Sequence, residues 1–513
     1  MKTAASPDIL PHLPLDRSAG VPLHRQIYDG LRRAILAGQL RPGQRVPSTR
    51  VLAVELEVSR LPVLTAYDQL LHEGYLEGRV GAGTFVSAAL PDDALRSLPV
   101  AGRGTRSLPA RPAARREARH TARHSPRPSH DSHPPHQAQR TATHPGGEGG
   151  LRPFRVSLPA LDDFPHTTWS RLVARHAHSL SPAHMAYGDP AGLESLRAAI
   201  AEHLRTARAV RCEAEQVLVL SGSQAALRLC AAVLLGRGDR VAMEEPGYPL
   251  ARSALGAGGA ELAPVGVDDE GIDIAALRAL GTRVRAAYVT PSHQYPLGIS
   301  MTAGRRLALL DWAARRNAWL IEDDYDSEYR YVSRPLGALQ GMDAHGRVIY
   351  VGTFSKVLFP ALRVGYVVVP PSLRREFVEA RETLDIFSPT LYQLALADFL
   401  REGHFARHLR RMRALYLRRR AALLDGLARH CHGRLVVHNA DAGLHATTFL
   451  PAGIRDLDVL RHMTARGLTA TALSTCYAGS MQRSGLLLGF GGSTEDQIAG
   501  ATRVLGDVLR ELA

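Results

Sequence analysis

Four short runs place reactive or anion-binding side chains directly after apolar segments. VLVLSGSQ carries Ser223 and Gln224 where a helix should begin, and the unpaired backbone N–H groups of a helix start suit a phosphate. WLIEDDYDSEY ends an apolar run in carboxylates; a carboxylate there can keep a heteroaromatic nitrogen protonated, which makes a pyridine ring an electron sink. VGTFSKVLFPALRVGY presents Lys356 with Thr353, Ser355 and Arg363. A lysine so placed can form a Schiff base, while hydroxyls and a guanidinium meet a phosphate. EEPGYPL puts Tyr248 where its ring can stack on a cofactor ring. Singly, each run has a plainer reading: SxK is common, SGSQ can be a simple helix cap, and an acidic run is more often a solvated loop. Together, in this order, they read as one site.

The elements that must position these runs follow from periodicity. Buried-strand candidates are 217–220, 240–244, 286–290, 319–323, 347–352 and 363–369, with amphipathic stretches such as 302–316 between several of them. Alternating strand and helix from residue 151 onward predicts an open, mostly parallel sheet covered on both faces, with its ligand site at the carboxyl ends of the strands. From about residue 400 the chain turns helix-rich and then mixed, which predicts a smaller C-terminal α+β lobe.

Ahead of this lies a different unit. Leu23, Ile27, Leu31 and Ile35 recur every four residues, a second helix starts near Ser48, and a third follows Ser59 with Val63, Tyr67, Leu70 and Leu71 inward. YLEGRVGAGTFVS then reads as two short strands around a tip where Gly81 and Gly83 allow positive φ. Three helices and a β-ribbon are the order of a winged helix-turn-helix. The expected organisation is therefore a DNA-binding domain at 15–90, a linker at 91–150 and an α/β domain at 151–513. The linker loses periodicity and is rich in Pro, Arg, His, Ser and Gly. Compositional drift explains His120, His124, His130, His133, His136 and His144 without a metal.

Composition agrees. A formal charge of +14 over 513 residues favours a polyanionic partner, of which nucleic acid is the usual one. Cys212, Cys230, Cys431 and Cys476 lack zinc-ligand spacing and form no evident disulfide framework. No run of about 18 apolar residues and no signal-peptide core occurs, so a cytoplasmic protein without a membrane partner is expected.

The segment PLHRQIYDGLRRAILAGQLRPGQRVPSTRVLAVELEVSR with GYLEGRVGAGTFVS resembles the GntR-type winged helix. MAYGDPAGLESLRAAIAEHLRTARAV, SGSQ, EEPGYP, TPSHQYPLG, EDDYDSEYRY and GTFSKVLFPALRVGY resemble the fold-type I aminotransferase half of MocR/GabR-type regulators. The resemblance implies pyridoxal 5'-phosphate as cofactor, Lys356 as the Schiff-base lysine, Asp323 on the pyridinium nitrogen and Tyr325 on the ring hydroxyl. It further implies Tyr248 stacked on the ring, and Ser223, Gln224, Thr353, Ser355 and Arg363 around the phosphate. Tyr187 would reach the phosphate from a partner subunit, in a dimer whose chains exchange their winged helices. In the DNA-binding half, Arg60 and Thr65 would face the major groove beside Ser59. Arg45, Ser48 and Arg50 would meet phosphates, and the tip at Gly81, Gly83 and Thr84 would touch the backbone.

Departures from the pattern bear on function. Tyr295 stands where aminotransferases carry the Asn of an NPxG turn, and Leu487 stands where they carry the arginine that clamps a substrate carboxylate. Leu61 and Pro62 replace two polar residues of the recognition helix. The reading is a regulator that senses a small amine or pyridoxal phosphate itself, with little or no transaminase activity. If the carboxylate is not dispensable, His293 or Arg252 is the candidate to hold it. The alternative is an active aminotransferase with an accessory DNA-binding domain; Lys356 favours it and Leu487 opposes it.

Overall fold

The four-residue spacing at the N-terminal end folds into α1, Leu23–Leu36, with Ile27, Leu31 and Ile35 buried. Ser48 caps α2, Thr49–Glu55, its hydroxyl accepting from the Val51 N–H at 3.3 Å. In α3, Arg60–Glu73, Val63, Tyr67 and Leu70 point into the same core. Two strands, β1 Leu76–Arg79 and β2 Gly83–Val86, pair antiparallel, and Gly83 holds φ +107° at the turn. A computed structural model describes residues 15–16, 23–36, 39–73, 75–79, 83–87, 152–331, 337–431, 433–479 and 483–512. The expected linker, its histidines and the tip residue Gly81 lie outside the described residues.

By its contacts the chain divides into two units, Met1–His144 and Pro145–Ala513. The second is built on an eight-stranded sheet. Its strands are β3 Val217–Leu220, β4 Arg240–Glu245, β5 Glu261–Asp268, β6 Gly271–Ile272, β7 Val284–Val289, β8 Trp319–Asp324, β9 Val348–Thr353 and β10 Gly365–Val368. They lie in the order β3-β10-β9-β8-β7-β4-β5-β6. All six strand candidates are strands in this sheet. β9, β8, β7, β4 and β5 run parallel, whereas β10 lies antiparallel between β3 and β9. Neighbouring residues of one strand enter different cores, Val241 and Met243 on one face and Ala242 on the other, so both faces are covered by helices. Among these helices are α4, Ser223–Leu234, and α5, Ala303–Arg316, capped by Thr302.

The expected smaller lobe is present. A 27-residue helix, α6 (His404–His430), packs on α7 (Glu495–Glu511). Beside them lies an antiparallel sheet of β11 Val436–Asn439, β12 His445–Phe449, β14 Gly485–Gly489 and β13 Thr471–Ala472, in that order. No described helix is long and apolar enough to cross a membrane.

Candidate functional site

The parallel strands deliver their carboxyl ends to one edge, and the four reactive runs begin there. Asp323 is the fifth residue of β8 and Lys356 follows β9 by three residues. The Lys356 ammonium donates to the Ser157 carbonyl at 3.0 Å. Burial lowers its pKa to about 8, with Asp326 and Asp323 acting against that fall. Asp323 is almost wholly buried, which raises its carboxyl to about 7. Its Oδ2 accepts from the Tyr288 hydroxyl at 2.7 Å, while Oδ1 has no hydrogen-bond partner among the described residues. A buried, unsatisfied carboxylate oxygen costs about 1–3 kcal/mol or more. A protonated ring nitrogen is the group that would satisfy it.

The turn between β3 and α4 forms a candidate anion cradle. Gly222 takes φ +101°, and a Cβ there would lie 3.2 Å from the Arg363 guanidinium. Glycine thus lets the guanidinium approach the helix start, where it donates to the Ser221 carbonyl at 2.6 Å. Ser223 and Gln224 open α4, whose first N–H groups have no partner among the described residues and can bind an anion. The antiparallel placement of β10 brings Arg363 here, because Gly365 pairs with Leu220 on one side and Thr353 on the other. The Thr353 hydroxyl donates to Ser355 Oγ at 3.1 Å and accepts the Ser355 N–H at 3.2 Å. These residues fit pyridoxal 5'-phosphate: a cradle at one end, an orphaned carboxylate oxygen at the other and a lysine near both. Once bound, that cofactor supplies an electron sink and a carbonyl that condenses with amines.

On the substrate side the wall is apolar. Leu487 is fully buried in β14 and packs with Tyr295, Leu297, Ile299, Phe449, Leu473 and Cys476, against which Tyr248 and Tyr325 also pack. The Tyr248 and Tyr295 rings meet edge-on at 5.2 Å. Arg252 is committed elsewhere: it pairs with Glu245 at 2.5 Å, whose other oxygen accepts the Ala478 and Gly479 N–H groups. His293 is likewise engaged, 2.9 Å from Asp326 Oδ1 and 3.0 Å from the Tyr325 hydroxyl. Tyr187 is 85 % exposed, its ring edge-on to Phe387 at 6.1 Å, so it does not line a buried site of its own chain. Tyr288, Asp326 and Ser157 are additions that sequence reasoning missed. Tyr288 was not findable, since it reaches Asp323 through the register of β7 on β8, in which Tyr288 pairs with Ile321, two residues from Asp323, and that register is a tertiary fact.

In the first unit Arg60 opens α3, exposed, its Nε donating to Thr49 Oγ1 at 3.2 Å. Beside it Leu61 is 70 % exposed. Arg45 bridges to Phe85 of the wing and its guanidinium lies beside Gly83. Arg50, Ser59 and the capping residue Ser48 are exposed and Thr84 is half-buried, while Thr65 sits within α3.

A helix-turn-helix with a wing and, in the same chain, an aminotransferase fold with an intact lysine–carboxylate–phosphate arrangement together define a class: DNA-binding regulators built on a pyridoxal-phosphate enzyme fold. Residues 23–86 match the bacterial regulatory proteins of the gntR family, and residues 161–496 match aminotransferase class I and II. The chain is 42 % identical to the probable rhizopine catabolism regulatory protein MocR of Rhizobium meliloti, over 94 % of this chain and 92 % of that one. It is 34 % identical to the HTH-type pyridoxine biosynthesis transcriptional regulator PdxR of Corynebacterium glutamicum, over 94 % and 95 % of the two chains. Among solved structures, kynurenine aminotransferase of Pyrococcus horikoshii, crystallised with PMP, superposes with a TM-score of 0.65 at 27 % identity, covering 69 % of this chain and 89 % of that one. The chain belongs to the MocR/GabR family of GntR-type transcriptional regulators with an aminotransferase-like domain, whose cofactor is pyridoxal 5'-phosphate.

Proposed function

We propose that this regulator uses its aminotransferase-like domain as a sensor of a small amine or of pyridoxal phosphate itself, with little or no transaminase activity. The observation that carries this reading is Leu487, fully buried in an apolar wall where a transaminase needs a carboxylate clamp. Transamination requires the Cα–H bond to stand perpendicular to the cofactor ring, and a fixed substrate carboxylate is the usual means of holding it there. With Arg252 paired to Glu245 and His293 engaged by Asp326, neither is free to replace it. An effector lacking a carboxylate fits such a wall. The cofactor as signal is supported by the relative whose name gives pyridoxine biosynthesis as its target.

In this reading Lys356 carries the cofactor, Asp323 meets its ring nitrogen, Tyr325 its ring hydroxyl and Tyr248 its ring face. Ser223, Gln224, Thr353, Ser355 and Arg363 hold its phosphate. The protein is cytoplasmic, with the domain limits 15–90 and 151–513 flanking a linker at 91–150. It acts as a homodimer that exchanges winged helices. Supporting dimerisation, Met185, Tyr187, Leu384, Ile386 and Tyr392 are exposed large apolar side chains in two segments joined by the Tyr187–Phe387 contact. An effector that binds one conformation better shifts the population that binds DNA.

Stopped-flow mixing with a panel of amino acids and of the corresponding decarboxylated amines tests the sensor reading. Slow or absent conversion of the cofactor to its amine form by amino acids, with faster conversion once Leu487→Arg is installed, is expected. Ready conversion by several amino acids in the unaltered protein would favour the active aminotransferase instead.

A further inference from the structure

His293 is placed where it controls a proton rather than a ligand. Its Nδ1 lies 2.9 and 3.2 Å from the two oxygens of Asp326 and 3.0 Å from the Tyr325 hydroxyl, and its side chain and that of Asp326 are almost completely buried. Three oxygens from two side chains converge on one nitrogen that can carry a single proton. If Nδ1 were bare, its lone pair would face the Asp326 carboxylate with nothing between them. With Asp326 ionised, Nδ1 therefore carries the proton and donates to Asp326, whichever state Nε2 is in. A protonated Nδ1 cannot accept from Tyr325. The Tyr325 oxygen is then on the accepting side of this contact, and its own proton is left to point elsewhere.

The imidazole is also held in place. Gly443 takes φ +72° in the turn before β12, and a Cβ there would lie 2.2 Å from His293 Cε1 and 2.5 Å from Asp326 Oδ2. Only a backbone without a side chain fits against the pair. The other groups facing it are the His445 ring at 5.3 Å, itself pushed by burial to about 4 and so neutral, and the Tyr295 ring, 6.1 Å from Tyr325. Asp323 and Glu244 act on Tyr325 through space, as Lys356 does on His445. Tyr295, standing in the YPLG turn, packs with Cys476 and Leu487 in the apolar wall.

We propose that His293, oriented by Asp326, is a positioning residue that sets Tyr325 as an obligate donor toward the phenolic oxygen of the cofactor ring. The proposal rests on the assignment of pyridoxal phosphate to this site. A donor on that oxygen draws off negative charge and weakens its hold on the proton it shares with the lysine nitrogen. Losing the donor raises the pH at which that proton leaves, by roughly one unit for a charge-assisted hydrogen bond of about 1.5 kcal/mol.

The test is a double-mutant cycle on the full-length protein loaded with pyridoxal phosphate, read as the pH midpoint of its visible absorbance. Tyr325→Phe and His293→Ala should each move the midpoint upward, and adding His293→Ala to Tyr325→Phe should move it no further. Asp326→Asn, nearly isosteric, should shift it in the same direction. Circular dichroism identifies a variant that fails to fold, and His293→Gln, which keeps an amide donor, should then recover part of the shift. No shift in a folded His293→Ala protein overturns the proposal, as does a shift that persists undiminished in the Tyr325→Phe background. Absence of visible absorbance in the unaltered protein overturns the cofactor assignment itself and the proposal with it, which separates the two failures.

Discussion

Lys356 and Asp323 show how burial prepares single residues for a cofactor. The amine, lowered to about 8, and the carboxyl, raised to about 7, are both shifted mainly by burial. Attack on a carbonyl needs the neutral amine, and pairing with a protonated ring nitrogen needs the carboxylate. Both forms gain population as pH rises. The rate at which cofactor-free protein takes up pyridoxal phosphate, followed by visible absorbance, should therefore increase through the interval from about 7 to about 8. A rate that is flat or falls across it would contradict this. The same raised carboxyl has a cost in the empty protein. Because the folded state binds its proton more tightly than the unfolded chain, the penalty is absent below the ordinary carboxyl value of 3.8 and complete above about 7. Lys356→Ala should abolish the visible absorbance and leave DNA binding measurable, and an unchanged spectrum would remove Lys356 from its role. These two residues were legible in the sequence because one ends an apolar strand and the other lies just past one. Tyr288, which holds Asp323, was not, since its neighbour is set by strand register.

At the scale of elements, α3 is proposed as the recognition helix. Arg60 stands exposed at its first turn, where a helix in the major groove presents side chains to base edges. Replacing a bidentate base contact costs about 1–3 kcal/mol, so Arg60→Ala should weaken operator binding by about 5- to 150-fold at fixed salt while cofactor binding is unchanged. An equal loss on unrelated DNA, with a shallower salt dependence, would make Arg60 a phosphate contact only. Exposed Leu61 next to it suits apolar contact with a thymine methyl better than a polar edge. The helices of this unit were readable because their apolar spacing matches the helical period. β5 was not read as a strand, since Pro264 and Gly266 interrupt its alternation. Pro264 is tolerated because β5 has β4 on one side there, while β6 pairs only at Val267 and Asp268 on the other.

For the whole molecule, the proposed dimer would cover the exposed Tyr187 and its apolar surroundings. Sedimentation should give twice the chain mass, and Tyr187→Ala should release pyridoxal phosphate more readily, by about tenfold or more for one lost hydrogen bond to a charged group. A monomeric mass, or unaltered cofactor retention in the variant, would remove the partner subunit from the site.

Local order decided what the sequence by itself determined: two unlike units, six strands, the winged helix and the reactive runs at the strand ends. Period, capping and apolar content act within a few residues, so they are written in consecutive positions. What only the tertiary structure decided is which of these residues meet. The antiparallel insertion of β10 brings Arg363 to the start of α4, and the turn at Gly443 seats His293 against Asp326. The packing of β14 buries Leu487 in the wall of the site. Each depends on contacts between residues far apart in the chain, where closeness follows from the sum of burial and hydrogen bonding over the fold and leaves no periodic trace in the sequence.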